Sequence, residues 1–204
     1  ADYVRSLLPP PMTEGLATTD WRFVPSESLG GDAFGYHWLD PSRLAVYLLD
    51  VCGHGVGPAL LGVSAMNVIH SNAIPNRDMG DPAAVLEGLN ELFPMDRHND
   101  MFFTLWYGIL NVDAGTLVWS GGAHPPALLV GPDGSLRELE SQGIMVGAGL
   151  GMPYESTEVQ IAPGSRLFLY SDGIFELQKP DGQMASLPDF VGTIPETHRH
   201  EDRL

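Results

Sequence analysis

Between residues 101 and 177 the chain passes through six short apolar or alternating runs, 101–112, 116–120, 127–130, 158–161, 166–170 and 174–177. Turn-forming clusters such as Asp113-Ala114-Gly115 and Gly131-Pro132-Asp133-Gly134 separate them, and Pro180-Asp181-Gly182 closes the series. Runs of this length, punctuated by Gly, Asp and Pro, read as antiparallel strands joined by tight turns, and a mainly helical fold has no place for them. The start of the chain carries the same signal. Residues 21–24 and 34–38 alternate with period two, the second run ends at Asp40-Pro41-Ser42-Arg43, and the apolar run 44–49 then pairs naturally with it as a ribbon.

Helical patterns are few. Pro58 opens a helix predicted over 58–70, with Leu60, Leu61, Ala65, Val68 and Ile69 recurring at helical intervals. A second helix is predicted over 82–92 with Asp81 as its N-cap, and a short third near 187–194. The fold class expected is α+β: two mainly antiparallel sheets packed as a β-sandwich and flanked by helices. At 204 residues with 44% hydrophobic content the chain can bury one sizeable core, and no internal repeat divides it. Residues 1–15, with Leu7-Leu8 followed by Pro9-Pro10-Pro11, read as the end of a connector from an upstream regulatory domain, since three prolines forbid a continuing helix. Residues 16–204 read as the domain itself.

Chemistry concentrates at three aspartates. Asp32 follows Leu29-Gly30-Gly31, Asp50 closes the run 44–49 ahead of Val51-Cys52-Gly53-His54-Gly55, and Asp172 stands in Ser171-Asp172-Gly173. An ionised carboxylate at the end of a buried strand needs a cation or hydrogen bonds, and the adjoining glycine lets the backbone turn sharply beside a ligand. A lone instance is most often a turn, whereas three suggest a floor of hard oxygen ligands for Mg²⁺ or Mn²⁺. Zinc spacing is missing: Cys52 is the one cysteine, which also rules out an intrachain disulfide framework and suits a reducing cytoplasm. A formal charge of −16 argues against nucleic acid and anionic membrane surfaces as partners. No run reaches the roughly 18 apolar residues that span a bilayer.

Five segments together carry a family resemblance. Leu29-Gly30-Gly31-Asp32, Leu49-Asp50-Val51-Cys52-Gly53-His54-Gly55 with Pro58-Ala59-Leu60-Leu61, Phe102-Phe103-Thr104-Leu105-Trp106-Tyr107-Gly108, Gly122-Ala123-His124-Pro125-Pro126 and Leu169-Tyr170-Ser171-Asp172-Gly173-Ile174-Phe175-Glu176 occur in that order. The chain from about residue 7 to about residue 182 thereby resembles the SpoIIE/RsbU branch of the metal-dependent, type 2C-like protein phosphatases. The resemblance implies a sandwich with two Mn²⁺ or Mg²⁺ ions at one edge and Asp32, Asp50 and Asp172 as the catalytic acids. Asp32 and Asp50 would hold one ion with the backbone carbonyl of Val51, Asp50 would bridge, and Asp172 would hold the other. Gly31, Gly53, His54 and Gly173 would surround these ligands. A water activated between two cations would attack phosphorus in line, so no nucleophilic Ser or Cys is needed.

Other residues receive plainer roles. Cys52 is expected as a small buried hydrophobe. His54 is expected to shape its loop, with protonation of the leaving oxygen as the competing role. His124 is expected to hold a rigid turn. Trp21, Trp38, Trp106 and Trp119 are expected in the core or on sheet faces, and Met66, Met95 and Met101 in packing. Glu176 is expected at the surface or beside the ligands, 179–182 as a turn, and 197–202 as a solvated end.

The sequence also departs from the family. Its members usually carry a late Asp-Asp-x-Thr element that completes the second metal site, and this chain reaches Leu204 without one, so a domain lacking its C-terminal end is expected. Asp202 alone stands in a vaguely similar setting, and Gly35 stands where many relatives have a second acid. The resemblance further implies a phosphorylated protein substrate, usually an anti-anti-sigma (STAS) protein of bacterial partner switching. It also implies an upstream receiver or sensor domain and a cytoplasmic setting, and it allows a homodimer. Regulation is expected to act through the helix after Asp50. The alternative is a phosphatase-derived adaptor that binds a partner without catalysis; a metal-dependent nuclease or nucleotide phosphatase is disfavoured, because the sequence carries neither a basic groove nor a Gly-Lys phosphate loop.

Overall fold

The computed structural model describes residues 8–24, 30–149 and 151–174, with Gln183 and Pro188 besides. Among the described residues, eight strands form two antiparallel sheets. The larger has the order β1 (Ala33–Trp38), β2 (Arg43–Val51), β3 (Phe103–Asn111), β4 (Thr116–Gly122), β7 (Thr157–Gln160). The smaller has the order β6 (Leu136–Leu139), β5 (Ala127–Val130), β8 (Arg166–Phe168). Two helices, α1 (Val56–His70) and α2 (Pro82–Leu92), connect β2 to β3.

Alternation along the strands builds two cores. Tyr47, Leu49 and Val51 of β2 and Phe103, Leu105 and Tyr107 of β3 face the helices, where Leu61, Ala65 and Ile69 of α1 and Val85, Leu86 and Leu89 of α2 meet them. Trp106, Leu117 and Trp119 point the other way, onto Ala127, Leu129 and Leu139 of the smaller sheet. Each of the larger aliphatic and Phe side chains contributes about 1.5–3 kcal/mol by leaving water. The sandwich is therefore as expected, while both described helices lie against the larger sheet.

The β1–β2 turn sets the geometry that matters for function. Asp40 accepts hydrogen bonds from the backbone N–H of Ser42 (2.9 Å) and Arg43 (2.8 Å), and the Arg43 guanidinium pairs with it at 2.6 Å. The Arg43 contact, helped by those N–H donors, holds the Asp40 carboxyl down at about 2. The turn fixes the register Ala33↔Leu49. A slip of one residue would send every side chain of β1 to the opposite face.

Several expected boundaries shift. Residues 21–24 are not a strand: Trp21 packs edge-on against Phe34 (centroids 5.4 Å apart), and its Nε1–H donates to the Pro9 carbonyl at 2.8 Å. A local side-chain anchor thus replaces the ladder that alternation suggested. Helix α1 starts at Val56, two residues ahead of Pro58, with no side-chain cap. Helix α2 begins at Pro82 as expected, with Asp81 accepting from Ala83 N–H at 3.1 Å. Strand β6 was not anticipated, because three of its four residues are exposed and Leu136-Arg137-Glu138-Leu139 has no apolar alternation. Ile174 lies in the 3-10 turn Asp172–Ile174 instead of opening a strand. Residues 175–177, the turn 179–182, the helix near 187–194, Glu176, Asp202 and the tail 197–202 lie outside the described residues.

Candidate active site

Asp32 immediately precedes β1 and Asp50 is the penultimate residue of β2, so the register Ala33↔Leu49 brings them to one end of the ribbon. A bridge between Gly30 and His54 continues the pairing past both acids. Between them the backbones nearly touch. A Cβ on Gly31 would stand 2.6 Å from Val51 Cβ and 2.9 Å from the Val51 carbonyl oxygen, closer than any side chain tolerates. Helix α1 presses on the same place, since a Cβ on Gly62 would stand 2.7 Å from the Gly31 carbonyl oxygen. Gly53 (φ 86°) and Gly55 (φ 105°) adopt left-handed backbone that swings the chain from β2 into α1.

The third aspartate, Asp172, arrives from much later in the chain. After β8, Ser171 Oγ donates to Asp32 Oδ2 at 2.8 Å, and Asp172 follows as the first residue of the 3-10 turn. On the other side of Asp50, β3 places Thr104 as its direct partner in register. Thr104 Oγ1 lies 2.7 Å from His124 Nδ1, and His124 Nε2 lies 3.2 Å from the Tyr170 carbonyl oxygen. A carbonyl only accepts, so Nε2 carries the proton and Nδ1 accepts from the threonine hydroxyl. His124 is buried, and this burial lowers its pKa from 6.5 to about 4, the Tyr170 bond and the Asp32 charge acting against that shift.

Asp32, Asp50 and the Val51 carbonyl bring hard oxygen donors to one end of the ribbon, where the backbone at Gly31 leaves no room for a Cβ against that carbonyl. These residues fit Mg²⁺ or Mn²⁺. Among the described residues, no three His, Cys, Asp or Glu side chains stand together closely enough to enclose an ion. Asp172 is tied to this edge through its neighbour Ser171.

The remaining candidates sort by contact. Cys52 is half-buried, and its Sγ accepts from Phe102 N–H at 3.3 Å, so it stitches the β2 end to β3 besides filling space. His54 and Gly173 are exposed, His54 within the bridge to Gly30. Trp106 and Trp119 are buried, while Trp38 is 38% exposed at the end of β1. Sequence reasoning missed Thr104, Ser171 and Gly62 as site residues. The signal for Thr104 was a lone threonine in the apolar run 101–112; only strand register shows that it faces Asp50. Beside the loop, Val56 (67% exposed) and Leu60 (62%) leave apolar surface at the start of α1. Leu60 also lines a groove of about 270 Å³ with Gly57, Leu61, Phe93, His98 and Met101.

Several known proteins are similar to this chain. The family model for Stage II sporulation protein E (SpoIIE) matches residues 40–203. The phosphoserine phosphatase RsbU of Bacillus subtilis is 26% identical over 175 residues, covering 85% of this chain and 50% of that protein. The phosphoserine phosphatase RsbP of the same organism is 25% identical over 204 residues, covering 93% of this chain and 50% of that protein. Among solved structures, the SiaA-PP2C domain of Pseudomonas aeruginosa superposes with a TM-score of 0.72 at 23% identity, over 84% of this chain and 68% of that one, and so shares the fold. The chain spans between 29% and 50% of the length of the curated relatives it matches.

Proposed function

Because the chain belongs to the SpoIIE family, we propose that it is a protein serine/threonine phosphatase of the SpoIIE/RsbU type whose working edge is formed by Asp32, Asp50, Val51 and Asp172. The observation that supports this most is the Ser171–Asp32 hydrogen bond, which joins two segments far apart in sequence beside the β2 end that carries Asp50. Asp32, Asp50 and the Val51 carbonyl would hold one Mn²⁺ or Mg²⁺ ion, and Asp172 would serve a second. When bound, such ions acidify and orient a water for attack on phosphorus and stabilise charge on the phosphoryl oxygens.

The chain's own residues do the rest. Asp40 and Arg43 hold the hairpin register that sets Asp32 opposite the end of β2. Gly31 lies against Val51 at a distance that a side chain at this position would not allow. Ser171 orients the Asp32 carboxylate. Neither Cys52 nor a serine is required as nucleophile, and His54, exposed beside the edge, is assigned to shaping its loop.

The substrate is proposed to be a phosphoserine or phosphothreonine on a partner protein, in particular a STAS-type anti-anti-sigma factor of a partner-switching pathway. The names of RsbU and RsbP, both phosphoserine phosphatases, support the reaction class. The exposed Val56 and Leu60 beside the catalytic edge suit a protein partner better than a small phosphoester. Residues 1–15 are proposed to lead from an upstream receiver or sensor domain, and α1 to transmit its signal, because Gly62 rests on Gly31. A cytoplasmic setting is proposed with that pathway; no described helix is long and apolar enough to cross a membrane.

A second reading, an adaptor that holds its partner without hydrolysis, draws on the lack of a three-acid cluster among the described residues. Mn²⁺-dependent hydrolysis of p-nitrophenyl phosphate, with Asp172→Ala beside the wild type, separates the two. Hydrolysis lost on substitution supports the phosphatase. Activity indifferent to Asp172→Ala overturns its assignment, and no hydrolysis under any metal with partner binding retained favours the adaptor.

A further inference from the structure

His124 sits one residue beyond Ala123, whose φ of 52° is a left-handed conformation that costs a side-chain-bearing residue roughly 1–2 kcal/mol. The turn carries the chain off the end of β4, with Ala123 N–H bonded to the Gly143 carbonyl at 2.7 Å, and delivers the imidazole to the interior. Among the described residues only Ser120 and His124 are buried polar side chains. The imidazole spends both nitrogens on different elements. Nδ1 accepts from Thr104, the register partner of Asp50, and Nε2–H donates to Tyr170, the residue before the Ser171 that grips Asp32.

We propose that His124 is a positioning residue that locks the Ser171-Asp172 turn onto β3, so that Asp172 is held at a fixed place relative to Asp32 and Asp50. This inference rests on the metal-dependent phosphatase proposed above and adds a device that its motif residues do not contain. Thr104 sets the device. With its hydroxyl donating to Nδ1, the imidazole proton is confined to Nε2, where it reaches the Tyr170 carbonyl. Without that hydroxyl, Nδ1 loses its donor and the proton is free to move there, which releases the turn. Groups bonded directly to a metal ligand are worth roughly 10–100-fold in metal affinity, and this device, which acts on Asp172 through the Tyr170 backbone, belongs at the lower end of that range.

The test uses the whole chain and four measurements. Side-chain ¹⁵N NMR of the wild type should show the neutral Nε2–H tautomer at His124. Titration of Mn²⁺, followed by the spectroscopic signal of the free ion, should show Thr104→Val and His124→Gln binding roughly tenfold or more weakly, and Thr104→Ser within about threefold of wild type. For p-nitrophenyl phosphate, kcat should fall in Thr104→Val while KM stays within about twofold, because the role proposed is to place Asp172 and not to bind the phosphoester. Thermal unfolding of Thr104→Val, a substitution of equal shape in a strand, checks that the fold survives even where His124→Gln does not. An Nδ1–H tautomer in the wild type overturns the inference alone. So does wild-type Mn²⁺ affinity in a folded Thr104→Val. A wild-type chain that binds no Mn²⁺ overturns the metal assignment and this inference with it.

Discussion

Ser171 Oγ donates a 2.8 Å hydrogen bond to Asp32 Oδ2, joining the turn after β8 to the residue that precedes β1. Bonds to a charged acceptor are worth about 1.5–3 kcal/mol, and the half-exposed setting places this one near the lower end. Ser171→Ala should therefore cost about 1.5 kcal/mol of stability, while the phosphatase rate falls by roughly tenfold because Asp32 loses its orienting donor. Chemical denaturation and steady-state kinetics check the two effects separately. A normal rate in a destabilised variant would show the bond to be structural.

Helix α1 bears on the catalytic edge through Gly62. In an exposed helix, Gly→Ala stabilises by up to about 1 kcal/mol. Here the new methyl would meet the Gly31 carbonyl oxygen at 2.7 Å, a backbone atom that cannot rotate away. Gly62→Ala should instead destabilise by about 1–3 kcal/mol. A displacement near 1 Å at Gly31 and Val51 would lower the rate by about 10²-fold. Loss of activity beyond what stability explains is the expected result, and a stabilised, fully active variant would rule out α1 as a lever on the site.

His124 makes stability depend on acid. Its folded pKa of about 4, set mainly by burial, lies below the ordinary 6.5, so the unfolded chain binds the proton more tightly. The stability this contributes is fully present above pH 6.5 and is lost progressively as pH falls to about 4, at most roughly 3 kcal/mol in all. Denaturant midpoints measured between pH 7 and pH 4 should fall more steeply for the wild type than for His124→Gln. Parallel slopes would show that the group titrates normally.

Much of this was legible in the sequence, for identifiable reasons. The alternation of β2 and β3 survives in the structure because one face of each strand packs on helices and the other on the second sheet. Asp81 and Pro82 marked the start of α2 through local hydrogen bonding alone. The run 21–24 alternates too, yet Trp21 finds its partners in Pro9 and Phe34, a tertiary choice that period-two patterning does not encode. Asp32, Asp50 and Asp172 stood out beside their glycines. Thr104 and Gly62 did not, because their meaning depends on which backbone they face.

The segment before β1 is held by few bonds, and one of them is easily removed. Tyr36 Oη donates to the Pro10 carbonyl at 2.8 Å, next to Pro9, which receives the Trp21 N–H. Tyr36→Phe should weaken this anchor by about 0.5–1.5 kcal/mol. Proteolytic cleavage near Leu16, already 80% exposed, should then accelerate while activity on p-nitrophenyl phosphate stays unchanged. Equal cleavage rates would show that the Trp21 contacts hold the segment unaided.

The central claim is that Asp50, at the end of β2, carries a divalent cation on which hydrolysis depends. Phosphate release from a phosphoserine peptide, followed across a Mn²⁺ titration for wild type and Asp50→Asn, tests it most directly. The account predicts activity that rises with Mn²⁺ in the wild type and a loss on the order of 10²-fold or more in Asp50→Asn, with the fold intact. Hydrolysis by Asp50→Asn at the wild-type rate, or wild-type hydrolysis unaffected by chelation of divalent ions, would contradict it.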